Sequence, residues 1–127
     1  MSQNNQLGHL ERFGPAIRNS LKGLVAAYNN EIAFRQYTWL MLLMLPIAFV
    51  IAASVAEFAM LMLSIILVLV AELLNTAVEA VVDRIGYEHH ELSGRAKDVG
   101  SAAVFTALFG MVLVWGYKII TMLLPSL

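Results

Sequence analysis

Two kinds of apolar spacing divide the chain. Leu7, Leu10, Phe13, Ile17, Leu21, Leu24 and Tyr28 recur every three or four residues, while Arg12, Asn19 and Lys22 point the other way. That is the pattern of an amphipathic helix, expected at about residues 7–29. With basic residues at its flanks it suits the plane of a membrane interface, held by anionic headgroups. Pro15, preceded by Gly14, predicts a helix start or a kink at that point. After the polar break at Asn29, Asn30, Glu31 and Arg35 the apolar pattern becomes continuous. Thr38 to Ala56 and Val99 to Tyr117 carry no charge, and Phe58 to Val82 is charged only at Glu72 and Glu79. Each run is close to or above the roughly 20 residues that cross a bilayer as a helix. The spacing therefore predicts an all-α membrane protein, one domain over residues 1–127. Its transmembrane helices are expected at about residues 34–56, 58–83 and 93–121, with a turn at Glu57 and a kink at Pro46. Ser93 is a candidate N-cap of the last helix. Trp115 and Tyr117 stand where an aromatic belt would lie.

Composition strengthens this picture: 60% of the 127 residues are hydrophobic, where a soluble domain has roughly half. A formal net charge of -1 argues against a nucleic-acid binder, which would show a basic patch. The absence of cysteine excludes a disulfide framework and a thiolate metal site. Polar Ser2 to Gln6 and the charges Glu11, Arg12 and Arg18 precede any long apolar run, unlike a cleavable signal peptide, so no processing is expected. Arg12, Arg18, Lys22 and Arg35 lie before the first span, and Arg84, Arg95 and Lys97 between the second and third. Both regions are expected to be cytoplasmic, with the N-terminus inside and only Lys118 outside.

The chemistry concentrates in Ala71 to Asp98. On a helix, Glu72, Asn75, Thr76, Glu79 and Asp83 share an arc of roughly 100°. A carboxylate near the bilayer midplane costs at least ~2.5 kcal/mol, so such a face points to a polar cavity and a functional site. A polar contact between helices would explain Asn75 or Thr76 alone, but it accounts poorly for two carboxylates. Glu72 and Glu79 are about 10.5 Å apart along the axis, too far to share a proton. The deeper Glu72 would reach a lipid-borne group, and Glu79 a water-soluble ligand or its metal. Oxygen donors from Glu31, Glu79, Asp83 or Asp98 suit a hard ion such as Mg²⁺. Glu88, His89, His90 and Glu91 read as a solvated loop or a nucleotide contact, since adjacent histidines diverge. Lys97 beside Asp98 could hold phosphate or simply snorkel, and Glu31 with Arg35 could be an ordinary helix ion pair.

These residues sit in longer runs: Glu31-x-Ala33-Phe34-Arg35-Gln36, Glu72-x-Leu74-Asn75-x-Ala77-x-Glu79-Ala80-Val81-Val82-Asp83-Arg84-Ile85-Gly86, and His90-Glu91-Leu92-Ser93-Gly94-Arg95-Ala96-Lys97-Asp98. Over nearly the whole chain they resemble the prokaryotic diacylglycerol kinase family. The resemblance implies a small lipid kinase of the bacterial inner membrane, with a surface helix and three transmembrane helices per subunit, assembled as a homotrimer. It would transfer the γ-phosphoryl group of ATP, with Mg²⁺, to diacylglycerol. The resemblance implies Glu72 as general base and Glu31 and Glu79 as metal carboxylates. The ATP contacts would include both, with Arg12, Asn19, Glu88, His89, His90, Lys97 and Asp98. The lipid would meet Arg12, Ser20, Arg35, Glu72, Asn75 and Ser101. Asn19 and Leu21 depart from the family, which tends to carry aromatics there. An undecaprenol kinase of the same family is the nearest rival. A proton-coupled exporter could also use an intramembrane glutamate, but it has no need of Glu31, Lys97 and Asp98 at one membrane surface.

Three spans are too few to shield a polar face from lipid on every side, which predicts an oligomer. Ala96, Gly100, Ala103, Ala107 and Gly110 form a small-residue stripe that would let another helix approach, within the chain or from a neighbour. A composite site is therefore expected, with Glu31 supplied by one subunit and Glu72 by the next.

Overall fold

The computed structural model describes residues 3–86 and 88–124, with side chains from residue 13 onward. Four helices follow one another: α1 (Gln3–Asn30), α2 (Ile32–Ile51), α3 (Val55–Ile85) and α4 (Glu91–Leu123). Among the described residues there is no strand. The last three helices are long and apolar enough to cross a membrane.

Central α3 packs against both α4 and α2, while α1 packs against α2. Its buried side chains form two clusters. Leu61 and Ile65 meet Ala48 and Trp115, and Val68 and Ala71 meet Val104 and Ala107. The small residues there let the helices approach closely. Most other large apolar side chains face outward, among them Trp39, Leu43, Phe49, Leu63, Phe105 and Phe109. Apolar surface on that scale is tolerated where the solvent is hydrocarbon.

Several local features differ from the sequence reading. Helix α1 begins well before Pro15, so the proline is not its start, and Pro46 lies inside α2 as the predicted span had it. The turn between α2 and α3 precedes Glu57, which lies in the first turn of α3. Ser54 Oγ accepts from the Glu57 backbone N–H (3.2 Å), and Glu57 Oε2 accepts from the Ala53 N–H (2.8 Å). This reciprocal pair is close to a capping box, which the Ser54-x-x-Glu57 spacing encodes. Helix α4 is capped by His90 rather than Ser93: its Nδ1 accepts from the Leu92 N–H at 3.2 Å. Trp115 lies in no interfacial belt. It is only 6% exposed, and its Nε1 donates to the Leu61 carbonyl (3.3 Å), which gives the buried indole N–H its partner. Tyr117 does face outward. Lys118 Nζ donates to Glu57 Oε2 (2.7 Å), tying the end of α4 to the start of α3.

Candidate functional site

Glu72 and Asn75 are the buried polar residues of the described chain, 6% and 9% exposed. Thr76, Glu79 and Asp83 continue the same face of α3 and are half-buried. The i, i+4 spacing lets Asn75 Nδ2 donate to Glu79 Oε1 at 3.0 Å. Glu31 sits at the junction of α1 and α2 in an extended conformation, and its side chain caps neither helix. The carboxylate therefore stays available, and Glu31 and Glu79 both lie within electrostatic reach of Glu72. Glu31 and Arg35 are joined through their backbones (3.2 Å) and form no side-chain ion pair among the described residues.

The oxygen-only donor set fits a hard divalent cation. Among the described residues, no three His, Asp or Glu side chains gather into a complete metal cage.

A second polar group lies further along α3. Lys97 Nζ donates to Asp83 Oδ1 at 2.6 Å. Around this pair Glu88, His89, His90, Ser93 and the glycines Gly86 and Gly94 line a cavity of about 200 Å³. Gly86 ends α3 at φ 159, ψ 157, a conformation essentially confined to glycine. His90 uses Nδ1 in the helix cap, so Nε2 is the nitrogen that the cap does not consume. Glu91 pairs with Arg95 at 2.8 Å on the exposed side.

The remaining candidates are more dispersed. Ser20 bonds its own helix at Ala16 (3.0 Å) and lines, with Glu31 and Thr76, a cavity of about 680 Å³ between α1 and α3. Asn19 is exposed on α1, Asp98 and Ser101 are exposed on α4, and Arg35 is half-buried on α2. The Arg12 side chain lies outside the described residues.

Two contributors escaped the sequence reading. Tyr37 of α2 packs on the Val68, Ala71, Val104 and Ala107 cluster and lies within electrostatic reach of Glu72. Its signal was a polar-tipped aromatic just inside an otherwise inert apolar run. Gly100 of α4 lies directly against Asn75, so the small-residue stripe serves packing within the chain at this point. Within one chain, Glu31 lines a cavity with Leu73, Thr76, Ala77 and Ala80 of α3.

An all-helical chain with three membrane-length helices and carboxylates gathered along one of them has the build of an enzyme working at a lipid surface. Comparison with known proteins gives that class its identity. The sequence profile of prokaryotic diacylglycerol kinase matches residues 18–119. A diacylglycerol kinase of Haemophilus influenzae is 52% identical over 97 residues, covering 76% of this chain and 82% of the relative. That of Escherichia coli K12 is 49% identical over 112 residues, covering 88% and 91%. That of Pseudomonas aeruginosa is 44% identical over 106 residues, covering 84% and 86%. The chain belongs to the prokaryotic diacylglycerol kinase family. It is a lipid kinase and a bacterial membrane protein, which sets the exporter reading aside.

Proposed function

We propose that this chain phosphorylates the free hydroxyl of 1,2-diacylglycerol with ATP, giving phosphatidic acid, at the cytoplasmic surface of the inner membrane. The observation that carries the reading is the buried carboxylate of Glu72 on the same face of α3 as Glu79, in a chain that matches the prokaryotic diacylglycerol kinase profile over residues 18–119. Phosphoryl transfer asks mainly for positioning, for neutralised phosphate charge and for a group to take the hydroxyl proton. Glu72, deepest along the helix, takes that proton as general base while the lipid hydroxyl attacks the γ-phosphorus in line, and the bond to the β–γ bridging oxygen breaks to release ADP. Glu31 and Glu79 would hold Mg²⁺, which when bound neutralises phosphate charge. Lys97, Asp98, Glu88, His89 and His90 meet the nucleotide from the aqueous side, with Arg12 and Asn19 of α1. Ser20, Arg35, Asn75, Ser101 and Arg12 would contact the lipid. Basic residues before α2 and between α3 and α4 support a cytoplasmic N-terminus, and a homotrimer would enclose the polar face.

The test offers purified protein in detergent diacylglycerol and undecaprenol side by side, with ATP and Mg²⁺. Phosphatidic acid is the expected product. Phosphorylation of undecaprenol alone would reassign the acceptor.

In that homotrimer Glu31 and the surface helix come from one subunit and Glu72 and Glu79 from its neighbour. Glu31→Ala and Glu72→Ala chains, each inactive, unfolded and reassembled together, are expected to recover activity, because some interfaces then pair an intact Glu31 with an intact Glu72. Verified mixed oligomers as inactive as either variant would show that each subunit builds its own site.

A further inference from the structure

We infer that Gly100 is a positioning residue for the cation site, acting through the Asn75 carboxamide on Glu79. The inference rests on the proposed role of Glu79 and extends it to α4. Asn75 is 9% exposed, and its Nδ2 donates to Glu79 Oε1 at 3.0 Å. Its Oδ1 is fully buried and accepts no hydrogen bond. The side of the amide without a hydrogen-bond partner faces Gly100. A Cβ built there would overlap Oδ1 and come within 3.3 Å of the Asn75 Cγ. Reversing the amide gives no escape, because it would set Oδ1 against the Glu79 carboxylate and withdraw the donor. The bare backbone of Gly100 thus leaves room for the one amide orientation that holds Glu79 in place. A buried acceptor without a partner carries a standing cost, and orientation of a ligating carboxylate by a neighbour is what such an arrangement supplies.

Helix propensity makes the test sharper, since alanine is the better helix former than glycine at an interior position. A loss on Gly100→Ala therefore cannot come from the helix itself. The probe is Mn²⁺ with a non-hydrolysable ATP analogue, free Mn²⁺ being counted by electron paramagnetic resonance on the full chain in detergent. Gly100→Ala is expected to weaken Mn²⁺ binding about tenfold, within the range typical for lost orientation of a metal ligand. In an Asn75→Ser background, where the clashing amide is gone, Gly100→Ala should add nothing. Parent-like Mn²⁺ affinity in folded Gly100→Ala overturns the inference, as does an equal further loss in the Asn75→Ser background. If Glu79→Gln itself leaves Mn²⁺ binding unchanged, the reading of Glu79 falls and this inference with it. If instead Glu79→Gln weakens binding and Gly100→Ala does not, only the inference falls. Should Gly100→Ala fail to fold, recovery in Gly100→Ala/Asn75→Ser supports the contact, and persistent misfolding overturns it.

Discussion

Glu72→Gln is expected to lower turnover by about 10²- to 10⁴-fold, the usual contribution of a positioned general base, while nucleotide binding stays close to that of the parent. Glutamine keeps the size of the side chain and most of its hydrogen-bonding capacity, so the packing around a residue only 6% exposed is preserved. What it removes is the proton acceptor and a buried charge. Those two losses act in opposite directions. Removing a charge from a poorly solvated position should make the folded chain more resistant to heat in detergent, even as activity collapses. This is the trade expected where an active site stores unfavourable electrostatics. Steady-state rates with saturating lipid, nucleotide binding and thermal unfolding of the same preparation check all three parts. Activity within a few-fold of the parent would remove Glu72 from its role.

The sequence made local relations visible and hid those created by docking. The amphipathic helix followed from its three-to-four-residue apolar spacing, and the three membrane-length helices from long apolar runs, because a lipid-facing helix must be largely apolar along its length. The polar face of Glu72, Asn75, Thr76, Glu79 and Asp83 was equally legible, since helical periodicity fixes it without any neighbour. The helix ends were harder. Ser54 and Glu57 formed a readable capping signal, whereas nothing in the pattern favoured the imidazole of His90 over the hydroxyl of Ser93 as the cap of α4. Contacts between helices were out of reach. Lys97 meets Asp83 across 14 positions, Lys118 meets Glu57 across 61 and Trp115 meets Leu61 across 54. Such pairs exist only once helices are in register. Trp115 shows the cost of reading position alone: an aromatic near a helix end suggests an interfacial anchor, yet the small Ala48 opposite leaves room for the indole in the core.

The second large effect separates the two glutamates of α3. Glu79→Gln is expected to raise the Mg²⁺ concentration needed for half-maximal activity by at least about tenfold, the lower end of what disturbing even an outer partner of a metal ligand does. The substitution isolates charge from shape, because the glutamine Oε1 can still accept the hydrogen bond that Asn75 Nδ2 now gives to the carboxylate (3.0 Å). The side chain should stay where it is and merely stop attracting a cation. Glu72→Gln is expected to behave differently, with a much lower maximal rate at a nearly unchanged Mg²⁺ requirement, since proton acceptance and cation holding are separate tasks. Magnesium titrations of the parent and the two variants, at saturating ATP and lipid, distinguish the roles. If Glu79→Gln follows the parent's magnesium curve at a reduced rate, Glu79 holds no cation, and Glu31 would be the remaining carboxylate of the assigned pair.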